Sequence, residues 1–310
     1  MYPLLLQSTL HVKVWGGRKL AEVLHKPLPT DEPYGESWEL HDTSIIMNGV
    51  DAGRTLGDLL QQHGTDLIGT RYNPADGFPL LAKLLDASDW LSVQVHPDDA
   101  QAALLEGQPR GKTEAWVILA ADPGAQLVIG VQPGTSHQTM SAAIQRNTLE
   151  SHLVFADVKA GDVLFIPAGT IHAIGPGILL YEIQQSSDTT YRLYDWGRMG
   201  LDGKPRALHI EKGVQVSNVQ TLPHIQSFDL TQDAQLLHSP FFSTYVCQIN
   251  GERAFKTDDT FHALTCIDGQ LTATAHGVSV TFNIGQTVLI PMSLADYVVS
   301  GVGRMLLSTL

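Results

Sequence analysis

Apolar residues along the chain occur mainly in short runs that are separated by Gly, Pro, Asp and Asn. This pattern is typical of β-strands joined by turns. The predicted strands cover residues 37–40, 44–47, 80–85, 90–96, 114–119, 127–130, 163–166 and 178–184. The pattern therefore predicts a mainly β protein, built as a sandwich with a few short helices.

Three segments have helical patterns. The clearest begins after Thr55, a predicted N-cap with Asp58 three positions later, and ends at Gly64. An acceptor side chain at the N-cap and a glycine after the last turn are common helix boundaries. Further helices are predicted over residues 98–106 and 139–147, and all three are expected to be appendages of the β structure.

A repeated frame indicates internal duplication. Residues 161–167 and 285–291 share a glycine and a proline separated by five residues, with an apolar run before the proline. Such a repeat predicts two copies of one sandwich. The stretch over residues 204–233 is polar and weakly periodic, so it is expected to connect the two copies. The predicted organisation is a first domain over 1–203, a connecting segment over 204–234 and a smaller second domain over 235–310.

Composition narrows the class of protein. With 310 residues, 43% hydrophobic and 16% charged, the chain has the balance of a globular protein. Its net charge of -13 would repel polyanions, so nucleic acid and anionic membranes are not expected partners. Cys247 and Cys266 form no disulfide framework or metal motif. No export signal or membrane span is recognised, and a cytoplasmic location is expected.

Candidate metal ligands concentrate in the first copy. Alternation along its strand places Gln94 and His96 on one face, opposite valines. Glu114 lies in an apolar strand, where an unpartnered carboxylate is costly. His172 follows the repeated frame in a Pro-x-Gly-x2-His turn, whereas the second copy has Asp296 at the corresponding position. Two imidazoles, a carboxylate and an amide oxygen suit Zn²⁺ or another late divalent metal.

Each of these residues also has a purely structural interpretation. The chain has 13 histidines, and a single one is more often a surface or core residue than a ligand. It is the conjunction of His96, Glu114 and His172 that predicts a metal site. For Gln94, direct ligation and support of His96 both remain open.

The frame ending in His172 resembles the second signature of cupins. The strings at 93–99, 111–116 and 182–195 resemble the type I mannose-6-phosphate isomerases, above all their short bacterial form. The resemblance implies two cupin-type jelly-roll units and a zinc enzyme that interconverts mannose 6-phosphate and fructose 6-phosphate, with one Zn²⁺ per chain. It also implies that His96, Glu114 and His172 bind the zinc, with Gln94 as a fourth ligand in some members, and that Arg192 is the catalytic arginine.

Three residues are candidates for the chemistry itself. Moving a carbonyl between C1 and C2 requires a base and stabilisation of a cis-enediolate. Glu182 is a candidate base, Arg192 lies where a guanidinium could meet developing charge, and Lys112 shares a strand face with Glu114. Simple ion pairs or solvent exposure are the alternatives. Further positive charge for a phosphate could come from Arg110, Arg198, Lys204 and Arg206.

Two rival functions are compatible with the same ligand set. A cupin oxygenase would use iron or manganese at this site. A non-catalytic sugar-binding or storage cupin would use the metal only to hold the fold. The sequence also leaves open whether unphosphorylated aldoses are substrates, and it leaves the oligomeric state open.

Overall fold

A computed structural model describes residues 1–310. The strands are β1 (Leu4–Gln7), β2 (Thr9–Gly17), β3 (Tyr34–Leu40), β4 (Ile45–Ile46), β5 (Leu80–Ala87), β6 (Val93–Val95), β7 (Glu114–Ala121), β8 (Gln126–Val131), β9 (Leu153–Asp157), β10 (Asp162–Ile166), β11 (Ala173–Ile174), β12 (Ile178–Gln185), β13 (Tyr191–Tyr194), β14 (Ile225–Ser227), β15 (Ala234–His238), β16 (Ser243–Lys256), β17 (His262–Ala275), β18 (Val278–Asn283), β19 (Thr287–Ile290) and β20 (Asp296–Thr309). The helices are α1 (Lys19–Glu22), α2 (Leu56–His63), α3 (Thr65–Ile68), α4 (Asp99–Glu106), α5 (His137–Gln145) and α6 (Ile210–Val216). The prediction of a mainly β protein is confirmed.

The three predicted helices are present, and their caps explain where they begin. Thr55 Oγ1 accepts a hydrogen bond from the Asp58 amide at 3.1 Å, and the Asp58 carboxylate accepts one from the Thr55 amide at 2.9 Å. The same reciprocal arrangement joins Asp98 and Gln101 before α4. Helix α5 begins two residues before the predicted start, because the Ser136 side chain caps it.

The predicted strand over 90–96 is shorter in the structure. Only the three residues of β6 form a regular ladder, which pairs with β13. On either side of β6 the backbone bonds to the segment between β10 and β12 instead, since Leu91 N donates to the Ile174 carbonyl of β11 at 2.8 Å and the His96 carbonyl accepts from Gly169 N at 2.8 Å. The segment thus remains extended while joining two sheets, which places His96 just beyond the strand end.

The first unit is built on a seven-stranded antiparallel sheet in the order β14-β10-β7-β12-β5-β2-β3. A three-stranded sheet (β11-β8-β9) and the β13-β6 pair complete it. Across the large sheet the register aligns Lys83, Glu182 and Trp116 on β5, β12 and β7. Directly opposed residues of antiparallel strands project from the same face. One interior face of this unit therefore carries a row of polar side chains.

The second unit is a sheet in the order β15-β16-β20-β17-β19-β1-β4, with β18 paired to β17. Strands β1 and β4 come from the segment expected to be the first domain, and β14 in the expected connecting segment pairs with β10. A cluster of 30 buried hydrophobic residues includes Leu80 and Tyr181 together with Phe242 and Leu306. The two units thus share one core, and the boundaries at 203 and 234 do not coincide with the sheets.

None of the helices combines the length and the apolar character that crossing a bilayer would require.

Candidate metal centre and its surroundings

Three separate elements bring the predicted ligands together. Glu114 begins β7, His96 follows β6, and His172 lies in the turn before β11. The backbone of Gln94 exchanges two hydrogen bonds of 3.0 Å with that of His172. Residue Ile166 at the end of β10 pairs with Glu114, which brings the start of the histidine-bearing turn beside the carboxylate.

The ligand atoms of His96, Glu114 and His172 all lie within 4.8 Å of one another. His172 Nε2 is 3.2 Å from Glu114 Oε1, and His96 Nε2 is 3.6 Å from Glu114 Oε2. All three side chains are at most 1% exposed. His96 and His172 are 76 positions apart in the chain, yet both lie with Glu114 around one point inside the first unit.

The second ring nitrogen of each histidine fixes its tautomer. His96 Nδ1 lies 2.9 Å from the Thr189 carbonyl, and His172 Nδ1 lies 2.9 Å from the Thr170 carbonyl. A carbonyl can only accept, so each Nδ1 carries the proton and each Nε2 lone pair points to the shared centre. Burial lowers the pKa of His96 well below its ordinary value and that of His172 to about 4. Both rings are neutral at pH 7, as metal ligation requires.

The carboxylate of Glu114 is short of hydrogen bonds. Burial raises its pKa to about 7. Neither oxygen has a hydrogen-bond partner of good geometry, although Lys112 Nζ lies 2.7 Å from Oε2. Two imidazole lone pairs and two buried carboxylate oxygens face one centre, and a divalent cation fits such a set of ligand atoms.

Gln94 lies beside the three ligand residues. Its Nε2 is 3.3 Å from His172 Nε2, so in this orientation the amide donates to the imidazole and its oxygen faces away. The register of β6 and β13 also places Gln94 opposite Arg192. This geometry corresponds to support of His172, and direct ligation would require the amide to rotate.

Lys112 lies at the same candidate metal centre. Its Nζ lies 3.1 Å from His96 Nε2 as well as 2.7 Å from the Glu114 carboxylate, and the side chain is buried. An ammonium group thus contacts two of the three ligand residues. Sequence reasoning placed Lys112 on the face of Glu114, and the structure puts the two charges in direct contact.

Glu182 belongs to the polar row and not to the ligand cluster. Its Oε1 lies 3.1 Å from Lys83 Nζ, and its Oε2 accepts a 3.0 Å hydrogen bond from Trp116 Nε1. Burial opposes ionisation of Glu182, but Lys83 and Lys112 outweigh that effect and lower its pKa to about 2. Lys83 was missed by sequence reasoning. Its signal was a single lysine in the otherwise apolar run at 80–85.

Arg192 lies on β13, half-buried at the edge of the centre. Its Nη1 donates to the Ala207 carbonyl at 2.9 Å, whereas its buried Nε has no partner. Burial and the nearby Arg206 lower its pKa, yet a guanidinium stays charged at any physiological pH. The backbone of Arg192 pairs with that of Gln94, so this unpaired N–H donor belongs to the strand beside Gln94.

The other basic candidates are mostly engaged elsewhere. Arg110 donates to the backbone carbonyls of residues 76–78. Arg198 and Arg206 both pair with Asp195. Lys204 is exposed. A groove lined by Thr189, Tyr191, His209 and Lys212, among others, adjoins the loop whose carbonyl holds His96.

The second unit has a different set at the corresponding positions. Ile290 pairs with His262 as Ile166 pairs with Glu114, and Lys256 pairs with Asp296 as Gln94 pairs with His172. Lys256 and Asp296 form an ion pair at 3.5 Å, and His262 Nδ1 is hydrogen-bonded to Tyr297 Oη at 2.7 Å. His96, Glu114 and His172 form the single such cluster in the chain.

Two family models match the chain. Residues 4–115 match the model described as phosphomannose isomerase type I, catalytic domain. Residues 232–310 match the model described as mannose-6-phosphate isomerase, cupin domain. The second match confirms the cupin assignment of the C-terminal unit, and the first covers the elements that carry His96 and Glu114.

The similarity to known proteins extends over nearly the full length of the chain. A mannose-6-phosphate isomerase of Streptococcus mutans is 37% identical, with 96% of this chain and 95% of that protein aligned. Mannose-6-phosphate isomerase ManA of Bacillus subtilis is 33% identical over 99% of both chains. A crystal structure of the mannose 6-phosphate isomerase from Bacillus subtilis superposes with a TM-score of 0.89 at 30% identity, covering 100% of both chains. The chain therefore belongs to the type I phosphomannose isomerases.

Proposed function

We propose that this chain is a zinc-dependent isomerase that interconverts mannose 6-phosphate and fructose 6-phosphate through a cis-enediol. The convergence of His96, Glu114 and His172 inside the first unit is the observation that carries the proposal. Family membership supports the reaction, and the set of two imidazoles and one carboxylate supports zinc among divalent metals. Zinc, when bound, would polarise the oxygens at C1 and C2 of the sugar without redox change.

The residues around the centre would divide the remaining work. A base removes the proton from C2, the electron pair of that C–H bond forms the C1–C2 double bond, and the π pair of the C1 carbonyl moves to its oxygen. A proton then passes from the C2 hydroxyl to the C1 oxygen, the C2 carbonyl forms, and the proton held by the base returns at C1. Glu182 is the proposed base or its close partner, since it is ionised and shares the interior face with Trp116 and Lys83. Its low pKa makes the Glu182 carboxylate a weak base while Lys83 is paired with it. The distance between Lys83 and Glu182 would therefore have to increase as the proton transfers.

Cationic groups would stabilise the negative charge. We assign Lys112 and Arg192 to the developing enediolate, because Lys112 contacts His96 and Glu114, and Arg192 has an unpaired Nε–H on the strand that pairs with the Gln94 strand. The groove beside Thr189 has a volume of about 660 Å³, which is in the range of ligand sites, and its His209 and Lys212 could meet a phosphate.

A coupled assay tests this function directly. Mannose 6-phosphate should be converted to fructose 6-phosphate, a chelator should abolish turnover, and zinc should restore it. Absence of turnover after zinc reconstitution would contradict the isomerase proposal, and turnover that resists the chelator would remove zinc from it. Oxygen uptake would instead indicate a cupin oxygenase.

The Arg192→Ala variant distinguishes an isomerase from a non-catalytic sugar-binding cupin. Removing a donor from developing negative charge should lower kcat by on the order of 10²-fold or more. Zinc content should be unchanged, because Arg192 is not among the ligand residues. Full activity in this variant would favour a non-catalytic role for the arginine.

A further inference from the structure

The segment that leads into Glu114 is held by hydrogen bonds at every residue. Gly111 N donates to Asp99 Oδ1 at 2.8 Å, and Lys112 N donates to the Pro97 carbonyl at 3.0 Å. Thr113, which stands between Lys112 and Glu114, donates its amide to Gln185 Oε1 at 2.9 Å and accepts from Gln185 N at 3.0 Å. A single glutamine therefore holds both backbone groups of the residue before the proposed ligand.

The amide of Gln185 has a defined orientation. Its Nε2 donates to Asp99 Oδ1 at 2.9 Å, and a carboxylate can only accept, so Oε1 must face Thr113. The side chain is 2% exposed, and both of its polar atoms are used. Buried amides with such complete pairing are rigid, because any rotation would break both bonds.

Gln185 acts where the regular ladder ends. The register between β12 and β7 stops at the pair Gln184 and Glu114. One residue further on, Gln185 N still donates to the Thr113 carbonyl, but the Gln185 carbonyl accepts from Gln184 Nε2 and not from Thr113 N. The side chain of Gln185 replaces the missing backbone acceptor for Thr113. Without it, only the bond from Gln185 N to the Thr113 carbonyl would join β12 to the residue before Glu114.

The same network reaches the histidine-bearing turn. Thr113 Oγ1 accepts a 3.3 Å hydrogen bond from Ala168 N, in the turn that ends at His172. Asp99, Gln185, Thr113 and Ala168 are thus connected in series. Displacement of a ligand by a few tenths of an ångström weakens a metal site, and partners outside the ligand set typically contribute 10- to 100-fold in affinity.

We propose that Gln185, anchored by Asp99, is a positioning residue of the metal centre that fixes Glu114 relative to His172. This inference rests on the metal site of the proposed function. No catalytic contact with the substrate is assigned to Gln185, and its effect passes through Thr113.

Binding of Co²⁺ to the metal-free full chain is the test, because Co²⁺ absorbs visible light and reports ligand geometry, whereas Zn²⁺ is a d¹⁰ ion. Gln185→Leu should weaken Co²⁺ binding by roughly 10- to 100-fold and change its visible spectrum. Asp99→Ala, at an exposed position of α4, should weaken Co²⁺ binding to a smaller extent. This variant replaces Gln185→Leu in the test if Gln185→Leu does not fold.

Gln248→Leu is the matched control. Gln248 lies on β16 of the second unit, where its Nε2 donates to the Leu230 carbonyl at 2.9 Å. This variant should bind Co²⁺ with the affinity and spectrum of the unmodified chain. Unchanged binding in both Gln185→Leu and Asp99→Ala, or equal weakening in Gln185→Leu and Gln248→Leu, would overturn the inference. If the unmodified chain binds no Co²⁺, the proposed metal site itself fails.

Discussion

Among single residues outside the predicted ligand set, the buried pair of Lys83 and Glu182 is expected to affect both stability and the reaction. Each partner compensates the other's burial, and Lys83 is the strongest cation acting on the Glu182 carboxylate. Lys83→Met should lower the free energy of unfolding by about 3 to 5 kcal/mol, because a buried charge loses its partner. It should also lower kcat, since the Glu182 carboxylate loses the 3.1 Å contact that holds it in position. Denaturant titration and the coupled assay measure the two effects.

A second buried pair provides the comparison. Lys26 and Glu39 form an ion pair at 2.7 Å, with both side chains buried, on the face of β3 opposite to Trp38. Lys26→Met should cost similar stability and leave kcat of the folded enzyme unchanged. If both variants lose kcat to the same extent, Lys83 has no specific role in the reaction.

Residue types and spacing were sufficient to predict that His96, Glu114 and His172 would come together. Each of the three breaks a local pattern, and the structure places their polar atoms within 4.8 Å of one another, whereas their binding of a metal stays a prediction. Lys83 and Gln185 were harder to find, because their importance depends on what lies across neighbouring strands. Cross-strand register is a tertiary property that no local pattern contains.

At the scale of elements, helix α1 is tied to β5 by one buried carboxylate. Asp86 Oδ2 accepts from Leu20 N at 3.2 Å, and burial raises the pKa of Asp86 to about 6. A raised folded-state pKa means that the protonated form stabilises the fold. This contribution is complete below the ordinary value of 3.8 and is lost as pH rises through about 6.

Asp86→Asn should therefore stabilise the protein at pH 8 by about 1 to 3 kcal/mol, since the amide never ionises. At pH 4 the variant and the unmodified chain should have nearly equal stability. Denaturant unfolding at the two pH values measures the difference. A variant that is less stable at pH 8 would show that the ionised carboxylate holds α1.

Elements with local signals were predicted better than those without. The capped helices α2 and α4 begin where their N-cap residues indicate. Strands β1 and β2 and helices α1, α3 and α6 were not predicted. Most of these elements are short, and β1 is held in place by pairing with β19 and β4, which are distant in the chain.

At the scale of the whole molecule, the two units share a core and a sheet. Strand β1 crosses into the second sheet, and Tyr181 Oη is hydrogen-bonded to Ser308 Oγ at 2.9 Å between the units. We expect one cooperative unfolding transition by calorimetry, and we expect a fragment of residues 1–234 to aggregate, because the apolar surface covered by Phe242 and Leu306 would be exposed. Two separate transitions would contradict a shared core.

The proposed binding of one divalent metal at His96, Glu114 and His172 can be measured as the metal content per chain. After reconstitution with zinc and removal of excess metal, elemental analysis should give about one zinc per chain. Glu114→Ala should retain almost none, whereas His262→Ala at the corresponding position of the second unit should retain the full amount. A reconstituted chain without zinc, or a Glu114→Ala variant that keeps it, would rule out a zinc site at these three residues.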